Sequence, residues 1–103
     1  MEKKLYDTID NEFAVMHQTR HSNMFGKPCL KINGKAFCAF FKDQMVFKIG
    51  TEQIFKAIEK YQGAVNWDPS GNNRPMKDWL QVPFEYHEDW RVLAKKALEY
   101  VEK

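Results

Sequence analysis

The sequence predicts an α+β domain: an antiparallel sheet of about five strands packed by helices, in the order α-β-β-β-α-β-β-α. Three observations carry this reading. Apolar residues recur at helical spacing near both ends, at Leu5, Ile9, Phe13 and Met16 and again from Trp90 to Val101. Between them lie short apolar runs separated by turn residues, above all Asn33-Gly34. The balance of 44% apolar and 29% charged residues is that of a folded chain, and 103 residues suit one domain spanning 1–103.

The first helix is expected over about residues 3–18, ending before the polar stretch His17–Asn23. Cys29–Ile32 reads as a strand, and Pro28 and Gly26 make an irregular approach to it. Asn33-Gly34 tolerates positive φ at both turn positions, so Lys35–Phe41 is the return strand. Lys42-Asp43-Gln44 turns the chain again into Met45–Ile49. Thr51 is read as the N-cap of a second helix carrying Ile54, Phe55, Ile58 and Tyr61, with Gly63 at its stop. Ala64–Trp67 and Trp79–Pro83 are the last strands, joined by the turn-rich loop Asp68–Pro75, across which Arg74 and Asp68 are expected to pair. Residues 87–102 form the closing helix.

Turn length fixes strand register, and register fixes which face each side chain occupies. A two-residue first turn and a three-residue second turn place Leu30, Ile32, Phe37, Ala39, Phe41, Met45, Phe47 and Ile49 on one wholly apolar face, the one helices should cover. The other face then holds Cys29, Lys31, Ala36, Cys38, Phe40, Val46 and Lys48. It is a half-exposed sheet surface, or one partly covered by another segment, or else a partner surface, most simply a homodimer contact.

In this register Cys29 and Cys38 stand opposite each other with Cα atoms about 4.5 Å apart, at the short edge of disulfide geometry. They form a candidate redox pair under oxidation, although two packed, reduced thiols are the simpler expectation. His17 and His21 are four apart, but the helix ends between them and no further ligand is positioned. No nucleophile comes with a base and orienting acid, and no phosphate-cradling glycine loop is present. No catalytic residue, cofactor or metal is therefore expected. The N-terminal residues lack an apolar run of signal-peptide length, and no stretch reaches the length of a membrane helix, so a cytoplasmic location is expected.

The formal charge is only +2, but residues 20–50 hold six bases against Asp43, a local +5. Six bases with Phe25, Phe37 and Phe40 nearby fit the outline of a nucleic-acid surface. Arg74-Pro75-Met76-Lys77-Asp78-Trp79 is the most distinctive segment, with Trp79 and Arg74 candidates to line a groove.

Met24-Phe25-Gly26 precedes a strand, the glycine turn at Gly34, an apolar return strand and then Lys48. With Arg74–Pro83 and the closing Trp90 helix, this arrangement resembles the N-terminal domain of TfoX (Sxy) proteins over nearly the whole chain. The resemblance implies a curved antiparallel sheet of the type shared with YjbR-like proteins and secretion chaperones. It also implies a link with the regulation of natural competence, in which two-domain members are transcriptional co-regulators; these residues correspond to the first domain alone. It brings no catalytic residues to positions here.

Together these readings favour a non-enzymatic interaction or regulatory module. Its partner would be another protein or a second copy, met through Lys31, Phe40, Val46 and Lys48 on the sheet or Arg74 and Trp79 on the loop. The alternatives are nucleic-acid binding through residues 20–48 and thiol redox chemistry at Cys29 and Cys38.

Overall fold

A computed structural model describes residues 1–102. Helix α1 (Glu2–His17) buries Tyr6, Ile9 and Phe13, and ends where Gln18 takes a left-handed conformation. Its buried stripe is turned from the expected one: Tyr6 goes inward, and Met16 is 65% exposed. Four antiparallel strands follow, β1 (Arg20–Met24), β2 (Lys27–Ile32), β3 (Lys35–Phe41) and β4 (Gln44–Lys48). Helix α2 (Thr51–Lys60) leads to β5 (Val65–Asn66) and β6 (Trp79–Val82). A 3₁₀ segment, Phe84–Asp89, feeds helix α3 (Trp90–Glu102). The six strands form one antiparallel sheet in the order β1-β2-β3-β4-β6-β5. The α+β class and the approximate element order expected from the sequence are thus present, with one strand more.

The additional strand is β1, which the sequence reading left in a polar stretch. It lies at the sheet edge, where Arg20, His21 and Asn23 stay in water and no apolar alternation is needed. Phe25-Gly26 is its turn, so Gly26 belongs to a hairpin rather than to an irregular approach to β2. Three hairpins in succession turn on two residues with positive φ: Phe25-Gly26, Asn33-Gly34 and Lys42-Asp43. Paired positive φ values match the right-handed twist of the flanking strands.

The second and third hairpins correct the expected faces. Ile32 pairs with Lys35 as predicted, and Lys31 with Ala36. The register then slips, and Leu30 pairs with Cys38. Phe37 is the extra residue of a β-bulge, so it and Cys38 both enter the helix-side core. The third turn has two residues, not three: Phe41 pairs with Gln44 and Phe40 with Met45. A two-residue turn without a bulge would scatter polar residues over both faces; the bulge removes that conflict.

The helix face therefore carries Leu30, Phe37, Cys38, Phe40, Met45, Phe47, Leu80 and Val82, packed with Tyr6, Ile9, Phe13, Trp90, Leu93 and Leu98. Ala39 and Phe41 move to the opposite face, where they join Cys29, Val46, Trp67 and Trp79. Arg91 and Glu12 tie α3 to α1 at the rim, with N–O distances of 2.8 and 3.1 Å.

Gly50, rather than Thr51, is the N-cap of α2. Its φ of 88° and ψ of 158° lie in a region essentially reserved for glycine. A Cβ there would meet Tyr100 Cε1 at 2.6 Å. Gly50→Ala is expected to cost roughly 1–3 kcal/mol in denaturant unfolding, the range for such backbone strain. Adding Tyr100→Ala should relieve the contact and leave most of the loss, because the strain belongs to the backbone.

Candidate functional site

The face away from the helices is built as a second, smaller core. Trp67 sits on it fully buried, its ring 5.8 Å from Phe41 and 5.1 Å from Trp79 between centroids. Backbone bonds hold the covering segment down. Trp67 N–H donates to Trp79 O at 3.1 Å, and Met76 N–H to Trp67 O at 2.8 Å. The Asn66 side-chain amide donates to the carbonyls of Met76, Lys77 and Trp79.

Within the segment, Asp68 organises the turn. Its carboxylate accepts from the backbone N–H groups of Ser70, Gly71 and Arg74 and from the Ser70 hydroxyl at 2.7 Å. These bonds, the Ser70 hydroxyl first, hold the Asp68 carboxyl below its ordinary value. Asp68 and Arg74 do meet, but through the Arg74 amide instead of the guanidinium expected from the sequence.

Beside this cover runs an open groove of about 1150 Å³. One end is apolar, with Met24, Phe25 and Met76. The other carries Lys31, Lys35 and Lys48, together with Gly50–Gln53 at the start of α2 and Tyr100 of α3. Phe25 and Gly34 lie at opposite ends of the six-residue strand β2, which at about 3.3 Å per residue makes the groove roughly 20 Å long. Lys35 Nζ donates to Val101 O at 3.3 Å, and Tyr100 Oη approaches Asp78 Oδ2 at 3.5 Å. Glu52 and Asp78 are the acids of the lining.

Of the candidate surface residues, the groove gathers Lys31, Lys48 and Trp79. Trp79 is nearly buried, and Val46 lies fully buried beneath the cover, so neither is the open contact expected from the sequence. Phe40 belongs to the other face, 5.3 Å from the Tyr6 ring, because the bulge exchanges the positions that follow it. Arg74 is exposed on the loop and does not line the groove. Sequence reasoning met Met24, Met76 and Lys35 only as members of longer segments and passed over Tyr100; the four are far apart in the chain. It noted Phe25 as an aromatic near lysines and as part of Met24-Phe25-Gly26, and the positive φ of the turn, 54° at Phe25, is what sets that ring apart.

Cys29 and Cys38 do not face each other. Cys29 pairs with Ala39 and belongs to the smaller core, whereas Cys38 pairs with Leu30 and belongs to the helix-side core. Both thiols are free and buried. Burial pushes the Cys38 thiol well above its ordinary pKa. Burial also raises Cys29, with Lys31 and a hydrogen bond from Ser22 pulling the other way. The histidines are also dispersed: His17 packs on Phe13, His21 bonds Asp10 at 3.1 Å, and His87 stacks on Phe84. Among the described residues no group of three metal-binding side chains occurs, and no helix is long and apolar enough to cross a membrane.

Two outcomes follow from this geometry. Native protein near neutral pH should react slowly with a thiol probe at both cysteines and completely once denatured; rapid labelling of either would contradict their burial. Asp68→Asn should lower the melting temperature. Because the folded pKa of Asp68 lies below its unfolded one, the difference from wild type should be full above the ordinary carboxylate range. It should fade as pH falls through the lowered value.

No protein-family model and no curated protein matches this chain.

Proposed function

We propose that this domain is a non-enzymatic binding or regulatory module of the TfoX N-terminal kind, and that it takes its partner in the groove between Phe25 and the start of α2. One observation carries the reading: the groove joins the exposed Phe25 and the half-buried Met24 and Met76 to three lysines within one continuous surface. Binding sites combine an apolar bed with a few convergent polar groups in this way. At about 1150 Å³ the groove exceeds the range of roughly 300–1,000 Å³ typical of small-molecule pockets, which favours a chain segment as occupant.

The smaller core supports the reading. Trp79 is the member of this core that lines the groove, and its packing on Trp67, with Phe41 and Val46 beneath, fixes that part of the floor. A rigid floor lowers the entropy lost on binding.

The test is comparative capture with immobilised protein. Met76→Asp and Lys48→Glu should lose partners that wild type retains. Val92→Asp, at an exposed position on α3, should keep them. Equal retention by the groove variants, or equal loss in the control, would count against the groove. Light scattering of the purified protein separates a second copy from a foreign partner.

A further inference from the structure

We infer that the groove receives single-stranded nucleic acid, with bases stacking on Phe25 and phosphates met by Lys31 and Lys48. The inference rests on the groove reading above and names its occupant. Phe25 carries the argument. Its ring is 63% exposed, and its backbone sits at φ 54°. A bulky residue is an outlier in the left-handed region, and Gly, Asn or Asp would serve this two-residue turn better. Its aromatic contact is an edge-on meeting with Trp67 at 6.1 Å between centroids. Core burial and turn chemistry both argue against phenylalanine here. A flat face offered to the groove accounts for it.

Charge points to the same class of partner. Among the described residues Lys27, Lys31, Lys35, Lys42 and Lys48 form no ion pairs, whereas Lys3, Lys60, Lys95 and Arg91 do. Lys4, Lys56, Lys77 and Lys96 are unpaired as well, on the helices and the covering loop; the five named first are gathered on the sheet hairpins. Lys27 and Lys42 lie over the Phe41 ring, toward the Phe25 end, while Lys31 and Lys48 line the other. Glu52 and Asp78 lie at that same end, by the start of α2, where three lysines of the lining outnumber these two acids. An elongated groove with lysines along it and an exposed ring at one end matches how single strands are held, through backbone charge and base stacking. An acidic peptide would answer the lysines and leave the ring without a role. Duplex DNA keeps its base faces stacked within the helix.

The experiment is fluorescence polarisation of labelled oligothymidylate against the full chain. With two or three phosphates neutralised, affinity should fall about tenfold between about 50 and 200 mM salt. Phe25→Asn, which suits the turn, should keep the melting temperature and weaken binding about tenfold, the order expected for one stacked base. Phe25→Trp should bind as wild type does. Lys31→Glu with Lys48→Glu should remove most of the salt dependence. Absent binding at low salt, undiminished binding by Phe25→Asn, or preference for a duplex or an oligoglutamate peptide would each overturn the inference. If oligothymidylate fails while Lys48→Glu still loses captured partners, the groove stands and only its occupant is wrong. If both fail, the groove itself is wrong.

Discussion

Side chains alternate across a strand, so one inserted residue exchanges the faces of every residue after it. In β3 that residue is Phe37. Up to Ala36 the hairpin follows the register of the Asn33-Gly34 turn; beyond it, Cys38, Phe40, Met45 and Phe47 share the helix side with Leu30. The bulge lets a tight Lys42-Asp43 turn coexist with an apolar core. It also bends the strand and strengthens its twist. The main core of Tyr6, Phe13, Phe37, Phe47 and Trp90 is assembled on this register.

The same exchange makes the other face worth covering. It hands Ala39 and Phe41 to a surface that already holds Cys29 and Val46, and these need apolar neighbours. Trp67 and Trp79 supply them from a segment pinned by Asn66 and shaped by Asp68. That cover meets Met24 and Met76 beside the sheet and leaves uncovered the strip from Phe25 to α2. The groove is thus a consequence of where the cover stops. Its basic character follows from the hairpin strands, while the paired charges gather on the helical layer, as in Arg91 with Glu12 and Lys60 with Asp89.

Much of the fold was legible because its signals are local. Asn33-Gly34, the Trp90–Val101 spacing and the apolar runs each encode an element within a few residues. What escaped was non-local or atypical. Strand β1 is polar because it lies at an edge, and its turn uses Phe25 where glycine or asparagine would have announced a hairpin. Lys42-Asp43 likewise hides its positive φ values behind ordinary side chains. A bulge at Phe37 leaves no mark in a run that is apolar throughout. Of the site, Lys31, Lys48 and Trp79 were anticipated. Phe40 was misplaced by the register, and Met76 and Tyr100 reach the groove only through the tertiary path of the chain.

The register of β3 against β4 tests this account most directly. Proton NMR should show short Hα–Hα contacts between Phe40 and Met45 and between Cys38 and Phe47, the pairs that place Phe41 under Trp67. Hα–Hα contacts between Phe40 and Val46 and between Cys38 and Lys48, the close pairs when Phe41 stands opposite Met45, would instead mean an unbulged strand with a three-residue turn. Phe41 would then face the helices, and Trp67 and Trp79 beside the groove would lose the ring they pack on.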